Sequence, residues 1–246
     1  MPWPLDPVLL WKLQSSGENN TVKRSYDHEI MDDLSIRDAR FTDALDELRV
    51  INTFLLGYHA SYRAVTMLES GSGQLANTML DVGGGGSTFP AKFNRFTITS
   101  VDINPAAGIY TRQKNPNVTP LCADAFHLPF KDNAFDIVHA SLFIHHFNEE
   151  DIGRLLREFL RVSSLGVIIN DPLRSRISLA GITLLTRLFS RSEMVRHDAP
   201  LSVRRGLTLS EMKTICRQNG IIRFSVYHAP LFRLMAIIPK SDNRNL

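Results

Sequence analysis

Apolar and polar positions along this chain fall into blocks, and the period of the pattern changes from block to block. From Glu29 to Leu68 apolar residues return at helical spacing, through Leu45, Leu48, Val50-Ile51, Phe54-Leu55 and Tyr58. This predicts two or three helices packed on, or lidding, the rest of the chain, with Asp32-Asp33 capping or preceding them. Strongly β-forming runs come next: Asn77–Val82, Phe96–Val101, Val118–Cys122, Phe135–His139 and Gly166–Ile169. Between them the period reverts to that of a helix. Pro105–Lys114 is one such segment; Glu149–Val162, with Ile152, Leu155, Leu156, Phe159 and Leu160 on one face, is the clearest. Phe89–Phe93 suits a short helix with Pro90 in its first turn. Strands alternating with helices at this spacing indicate a parallel, doubly wound sheet.

After Asp171-Pro172 the rhythm breaks. Residues 173–191 are apolar but interrupted by Arg174, Arg176, Arg187 and Arg191, and they read as an insertion over the strand ends. Thr208-Leu-Ser-Glu211 is a capping box opening a helix that stops at Asn219-Gly220. Two runs, Ile221–Tyr227 and Leu231–Ile238, joined at His228-Ala229-Pro230, would close the sheet with an antiparallel edge strand. The expected organisation is an N-terminal helical lid over residues 1–76, then one α/β domain over 77–246 carrying a cap at about 173–205. Ahead of the lid, the early prolines and Ser15–Asn20 read as loop, with one short apolar helix at Val8–Leu13.

Composition narrows the function classes. The 246 residues are 43% hydrophobic and 22% charged with a net charge of +3, which is ordinary for a globular domain. No Lys/Arg run tracks a phosphate backbone, so no nucleic-acid partner is expected. Two distant cysteines, Cys122 and Cys216, indicate a reducing compartment and no metal centre. No segment reaches the roughly 18 apolar residues of a membrane span. The N-terminus has no signal-peptide pattern, so the expected location is cytoplasmic.

The chemistry gathers at Met79-Leu-Asp-Val-Gly-Gly-Gly-Gly-Ser-Thr88. Four glycines in succession suit neither strand nor helix, because glycine loses the most backbone entropy on ordering. They suit a sharp turn that something else approaches closely. Asp81, Asp102 and Asp124 fall at the ends of the first three strands, where open α/β sheets hold ligands. A carboxylate at Asp102 can accept both hydrogen bonds of a ribose diol. Asp124 can accept from an adenine amine, with Phe126 or a neighbour flanking the ring. A nicotinamide fingerprint starting at Gly83 would need glycine at position 88, which is Thr88. An acid directly before the loop would also repel a pyrophosphate.

On these residues the sequence resembles the class I S-adenosylmethionine-dependent methyltransferases. Leu80–Gly85 is similar to their first motif, Val101-Asp-Ile-Asn104 to their ribose-binding segment, and Ala123-Asp-Ala125 to their adenine-binding segment. Leu128–Asp136 is similar to the stretch leading into their fourth strand. The resemblance covers about residues 77–170. It implies a Rossmann-like seven-stranded sheet with the last strand antiparallel, and S-adenosyl-L-methionine as cofactor. Carried onto this chain, it assigns cofactor contacts to Asp81, Gly83, Gly85, Ser87, Asp102, Ile103, Asp124, Ala125 and Ser141. Ser87 stands where the family commonly has a third glycine.

The implied reaction is methyl transfer to a small aromatic or lipophilic acceptor, at a hydroxyl oxygen. Carbon methylation of a quinone or polyketide precursor, or a non-catalytic binding module, are the alternatives. A phenolic hydroxyl has a pKa of about 10 and must lose its proton during transfer. The candidate bases are His145 and His146, after the fourth strand, and His197 beside Asp198 in the polar stretch 192–205. His145 and His146 could equally pack or cap the next helix, and the stretch holding His197 could be a solvated loop. Arg174 and Arg176 are candidates for lining a pocket for a phenolate or carboxylate. Asn170-Asp-Pro-Leu173 lacks the second proline and the aromatic of the amino-methylating motif, which argues against nucleobase chemistry. A homodimer stays open.

Overall fold

The computed structural model describes residues 21–36, 38–86, 89 and 93–240. The helix expected at 8–13, position 87 and most of the expected helix at 89–93 lie outside them.

Seven strands form one sheet: β1 (Thr78–Val82), β2 (Thr97–Asp102), β3 (Val118–Cys122), β4 (Phe135–Ser141), β5 (Ser163–Pro172), β6 (Ser225–Ala229) and β7 (Arg233–Pro239). Their spatial order is β3-β2-β1-β4-β5-β7-β6. β1 pairs in parallel with β2 on one side and β4 on the other, so the order reverses at the β1/β4 crevice, where such sheets bind ligands. The described residues also hold seven α-helices: α1 (Ala39–Phe54), α2 (Gly57–Ser72), α3 (Pro105–Lys114), α4 (Glu149–Val162), α5 (Arg176–Phe189), α6 (Glu193–Arg205) and α7 (Leu209–Gln218). None is long and apolar enough to cross a membrane.

The helix starts follow local chemistry. Asp38, rather than Asp32-Asp33, caps α1, its carboxylate accepting from Arg40 N–H at 3.0 Å. Asn104 caps α3 with Pro105 in the first turn, and Thr208 and Glu211 complete the capping box of α7 at 3.2 and 2.8 Å.

Two expectations shift at the C-terminal hairpin. Its turn is Pro230–Phe232, with Leu231 and Phe232 both left-handed at φ 55° and 68°; apolar residues in turn positions disguise it. The antiparallel strand is not the edge, because β7 runs antiparallel between β5 and β6. Burial explains the order. Leu234, Met235, Ala236 and Ile238 are completely buried, whereas β6 carries the exposed Ser225 and half-buried Tyr227 and His228. The more apolar strand takes the interior. β5 is also longer than expected, since Ser163-Ser164 and Asn170-Asp171 continue the ladder instead of ending it.

α4 and α7 cover one face of the sheet, through Leu155, Leu156, Phe159 and Met212. α2 covers the other, burying Ala60, Ala64, Val65 and Leu68 against Met79, Ile137 and Ile168. A separate apolar cluster joins α1, α5 and α6, with Ala44, Ile182, Val195 and Val203 buried at its centre. That cluster is the roof of the site. The stretch 192–205, polar in sequence, is the helix α6.

Candidate functional site

The glycine loop leaves β1 at Gly83, whose φ of 64° is open to glycine at little cost. A Cβ there would lie 1.9 Å from the Phe143 ring, and one on Gly86 would lie 2.7 Å from the Tyr110 ring. At Gly85, also left-handed at φ 49°, the nearest atom would be 3.7 Å away on Leu45, so this backbone faces open space. Asp102 fastens the loop. Its carboxylate accepts from Gly85 N–H at 2.9 Å and from Asn104 N–H at 2.8 Å. Burial lifts that carboxyl above its ordinary range, against the pull of these two bonds.

Asp81 is buried and tied to the sheet. Its Oδ1 lies 2.6 Å from His139 Nδ1, and His139 Nε2 lies 2.8 Å from Ser61 Oγ. Asn170 Nδ2 donates to Ser61 Oγ at 2.8 Å and to the Gly57 carbonyl at 2.9 Å. With both Asn170 protons used, Ser61 is left to donate to Nε2 and His139 Nδ1–H to donate to Asp81. The relay fixes one tautomer and one orientation of the acid.

These residues line a cavity of about 590 Å³, within the usual size of a small-molecule site. Gly83–Gly86, Asp102, Ile103, Asp124, Ala125, Ser141 and Phe143 form its floor at the strand ends. Leu48 and Ile51 of α1, Leu55 just after it, and Ile182 and Leu185 of α5 line its upper wall. Ile103 is 57% exposed, an apolar surface turned to the cavity beside Phe126. Asp124 accepts from Phe126 N–H at 2.9 Å.

A charged cluster closes one side. Asp171, at the end of β5, accepts from the N–H groups of Phe143 and His145, both at 2.8 Å, and faces His145 Nδ1 at 3.0 Å. Glu29 Oε1 lies 3.4 Å from His145 Nε2, off the line of a good hydrogen bond. Burial would push the imidazole down, yet the charges of Asp171 and Glu29 and the hydrogen bond to Asp171 outweigh it and raise His145 to about 9. Burial would likewise raise Asp171, but His145 and the two N–H groups hold it below the carboxylate range. His145 is therefore an imidazolium at neutral pH and no acceptor of protons.

His146, beside it, is part exposed on the cavity wall, with Asp32 Oδ1 at 2.8 Å from Nδ1. Arg205 spans this cluster, donating to Asp32 at 2.8 Å and to the His146 carbonyl at 2.9 Å.

The sequence candidates thus separate. Asp81, Gly83, Gly85, Asp102, Ile103, Asp124, Ala125, Ser141, His145 and His146 all line the one cavity. Ser87 lies outside the described residues. His197 is not on the wall; it is largely exposed, paired with Asp198 at 2.7 Å. Asp198 instead accepts from the N–H groups of Ile30 and Met31, both at 2.9 Å, holding that segment against α6. Arg174 is also not a wall residue. It is buried and committed to the Gly206 carbonyl, at 2.9 Å, and to Glu211. Glu29, Asp32, Asp171, Arg205 and Arg233 were not among the sequence candidates for the site. Asp171 carried a usable signal, an acid at the end of a buried strand like the three others, and Arg233 a weaker one, a charge within an apolar run.

The sheet has the strand order, and the cavity the strand-end acids around a glycine turn, that the sequence resemblance implies. Residues 80–169 match the family described as "Methyltransferase domain", a span that begins in β1 and ends in β5. That match and the relatives below support a class I S-adenosylmethionine-dependent methyltransferase, with residues 80–169 similar to its core.

Among its relatives, the demethylmenaquinone methyltransferase of Thermobifida fusca is 30% identical over 138 residues, 52% of this chain and 56% of that one. The ubiquinone/menaquinone biosynthesis C-methyltransferase UbiE of Haemophilus ducreyi is 26% identical over 196 residues, 70% of this chain and 74% of that one. The match thus spans little more than half the length of the first relative. The solved structure of the plantazolicin methyltransferase BpumL, with a pentazolic analogue and S-adenosylhomocysteine, superposes with TM-score 0.61 at 13% identity over 85% of this chain and 97% of that one. Magnesium protoporphyrin IX methyltransferase from Synechocystis gives TM-score 0.53 at 15% identity, over 82% and 97%. At such identities these two structures speak to the fold.

Proposed function

We propose that this protein transfers a methyl group from S-adenosylmethionine to a small aromatic or lipophilic acceptor, at a hydroxyl oxygen. The observation that supports this most is a single cavity with two chemistries: acids and glycine backbone on the floor, apolar helices α1 and α5 above. The residues present fit the cofactor. Gly85 offers open backbone, Asp102 a half-buried carboxylate with lone pairs left for a diol, and Asp124 with Ile103 and Ala125 a slot for a purine. Asp81, locked by His139, would face the ammonium end, with Gly83 and Ser141 alongside. When bound, S-adenosylmethionine supplies an electrophilic methyl. The protein contributes position and proton handling.

In this reading His146 takes the acceptor proton. Arg205 on the histidine's carbonyl holds it in place, Asp32 lies close to Nδ1 but off the line of a hydrogen bond, and Nε2 is the nitrogen that accepts. His145 serves as a fixed positive charge that holds the turn. Residues 30–54 and the cap at 173–205 form the lid, while α2 secures Asp81 from beneath. A second reading, carbon methylation of an electron-rich ring, is favoured by the names of the quinone-pathway relatives.

The test is turnover on a panel of phenols and hydroquinones with isotope-labelled methyl donor, reading the methyl position by NMR. Oxygen methylation with a fall of about 10²–10⁴-fold in His146→Ala, cofactor affinity kept, supports the reading. A methyl on carbon selects the second. Unchanged turnover in His146→Ala removes the base.

A further inference from the structure

Arg233 opens β7 opposite Pro172, at the same edge of the sheet as the three acids, and it lines the cavity. It is only 4% exposed. Its Nη2 donates to Asn52 Oδ1 of α1, while Nη1 is buried without a hydrogen-bond partner. The other buried arginines differ: Arg24 pairs with Glu149, Arg174 with Glu211 and Arg205 with Asp32. Among the described residues no carboxylate lies within ion-pair distance of Arg233. Asp171 attracts it from further off, but that acid is already held by His145 and two backbone N–H groups. Burial lowers the guanidinium to about 10, so it stays charged at neutral pH. A buried cation without a counter-charge is costly, and a protein wall has no reason to keep one facing a cavity unless an anion arrives there.

The surroundings are shaped to seat this group. A Cβ on Gly57 would lie 1.9 Å from Asn52 Oδ1 and 2.9 Å from Arg233 Nη2, so the α1–α2 corner leaves room for the pair by carrying no side chain. On the other side Leu231 and Phe232, both cavity-lining, precede Arg233 in left-handed conformations, a cost retained where geometry matters.

We infer that Arg233, seated by Asn52, is an anion-binding subsite at the acceptor end of the cavity, and that the acceptor carries a carboxylate or an ionised phenolic or enolic oxygen. The word acceptor rests on the methyltransferase reading; the anion site does not. Ser141 pairs with Asn170 on β5, and β5 pairs with β7. Two strand spacings, roughly 10 Å, therefore separate the floor from Arg233. The anion is held at the far side of the same cavity from the cofactor crevice, orienting the acceptor rather than reacting.

The test compares matched ligands on protein saturated with S-adenosylhomocysteine: 1-hydroxy-2-naphthoate against 1-naphthol, neutral at pH 7. The carboxylate should bind on the order of ten- to a hundredfold more tightly, as for hydrogen bonds to charged groups. Arg233→Gln should abolish the preference and Arg233→Lys keep part of it, both with unchanged S-adenosylhomocysteine affinity. Equal wild-type affinity for the two ligands, no binding of the carboxylate, or a preference surviving in Arg233→Gln overturns the inference. The wild-type comparison decides even if a variant does not fold. Failure to bind S-adenosylhomocysteine counts against the methyltransferase reading instead, and the ligand pair can then be titrated on the free protein.

Discussion

Raising the pH should loosen this protein through one imidazole. His145 is fully buried between Asp171 at 3.0 Å and Glu29 at 3.4 Å, whose charges push its pKa up from 6.5 to about 9. The folded state therefore holds a proton that the unfolded chain releases nearer pH 6.5. The stabilisation is complete below about pH 6.5 and is lost as the pH rises through about 9. That interval corresponds to on the order of 3 kcal/mol, at about 1.4 kcal/mol per pH unit. Urea unfolding at half-unit steps from pH 6 to 9.5 would measure it on wild type and His145→Gln. The variant should be less stable at pH 6, where it leaves two buried acids unpaired, and the two curves should converge towards pH 9.5. Taking the difference cancels groups common to both. Parallel curves across this range would refute the imidazolium, and with it the argument that His145 is no base.

Gly83→Ala should displace the loop, since its Cβ would sit 1.9 Å from the Phe143 ring at a left-handed φ; calorimetry should show weaker S-adenosylhomocysteine binding and unfolding a loss of about 1–3 kcal/mol. Unchanged values for both would mean that the ring and loop move apart freely. Hydrogen exchange should slow in residues 39–54 and 176–205 when cofactor and acceptor bind together, because those helices roof the cavity. Protection confined to residues 80–130 would contradict a lid.

Local chemistry made the framework readable. Pro105 after Asn104, the capping box at Thr208 and the apolar stripe of α4 announce their helices within a few residues. The three strand-end acids could be recognised because each sits beside its own motif. What escaped depends on distant partners. Glu29 meets His145, and Asp32 meets Arg205, across more than a hundred residues of chain, and no spacing rule connects them. His139 looks like any strand residue until β4 pairs with β1 and sets it against Asp81. Arg233 left one trace, a charge among Leu231-Phe232 and Leu234–Ile238, but only the sheet order shows that it faces the cavity from an interior strand. The hairpin turn was misplaced for a related reason: Leu231 and Phe232 adopt turn geometry without turn-forming side chains.

The proposed function requires that Asp102 and the glycine loop hold the nucleoside of S-adenosylmethionine. Isothermal titration of wild type and Asp102→Ala with S-adenosylhomocysteine tests it without any knowledge of the acceptor. Wild type should bind at micromolar strength or better, and Asp102→Ala should bind more weakly by about 1.5–3 kcal/mol, the range for hydrogen bonds to a charged group. Absence of wild-type binding, or equal affinity in a folded Asp102→Ala, would contradict the account.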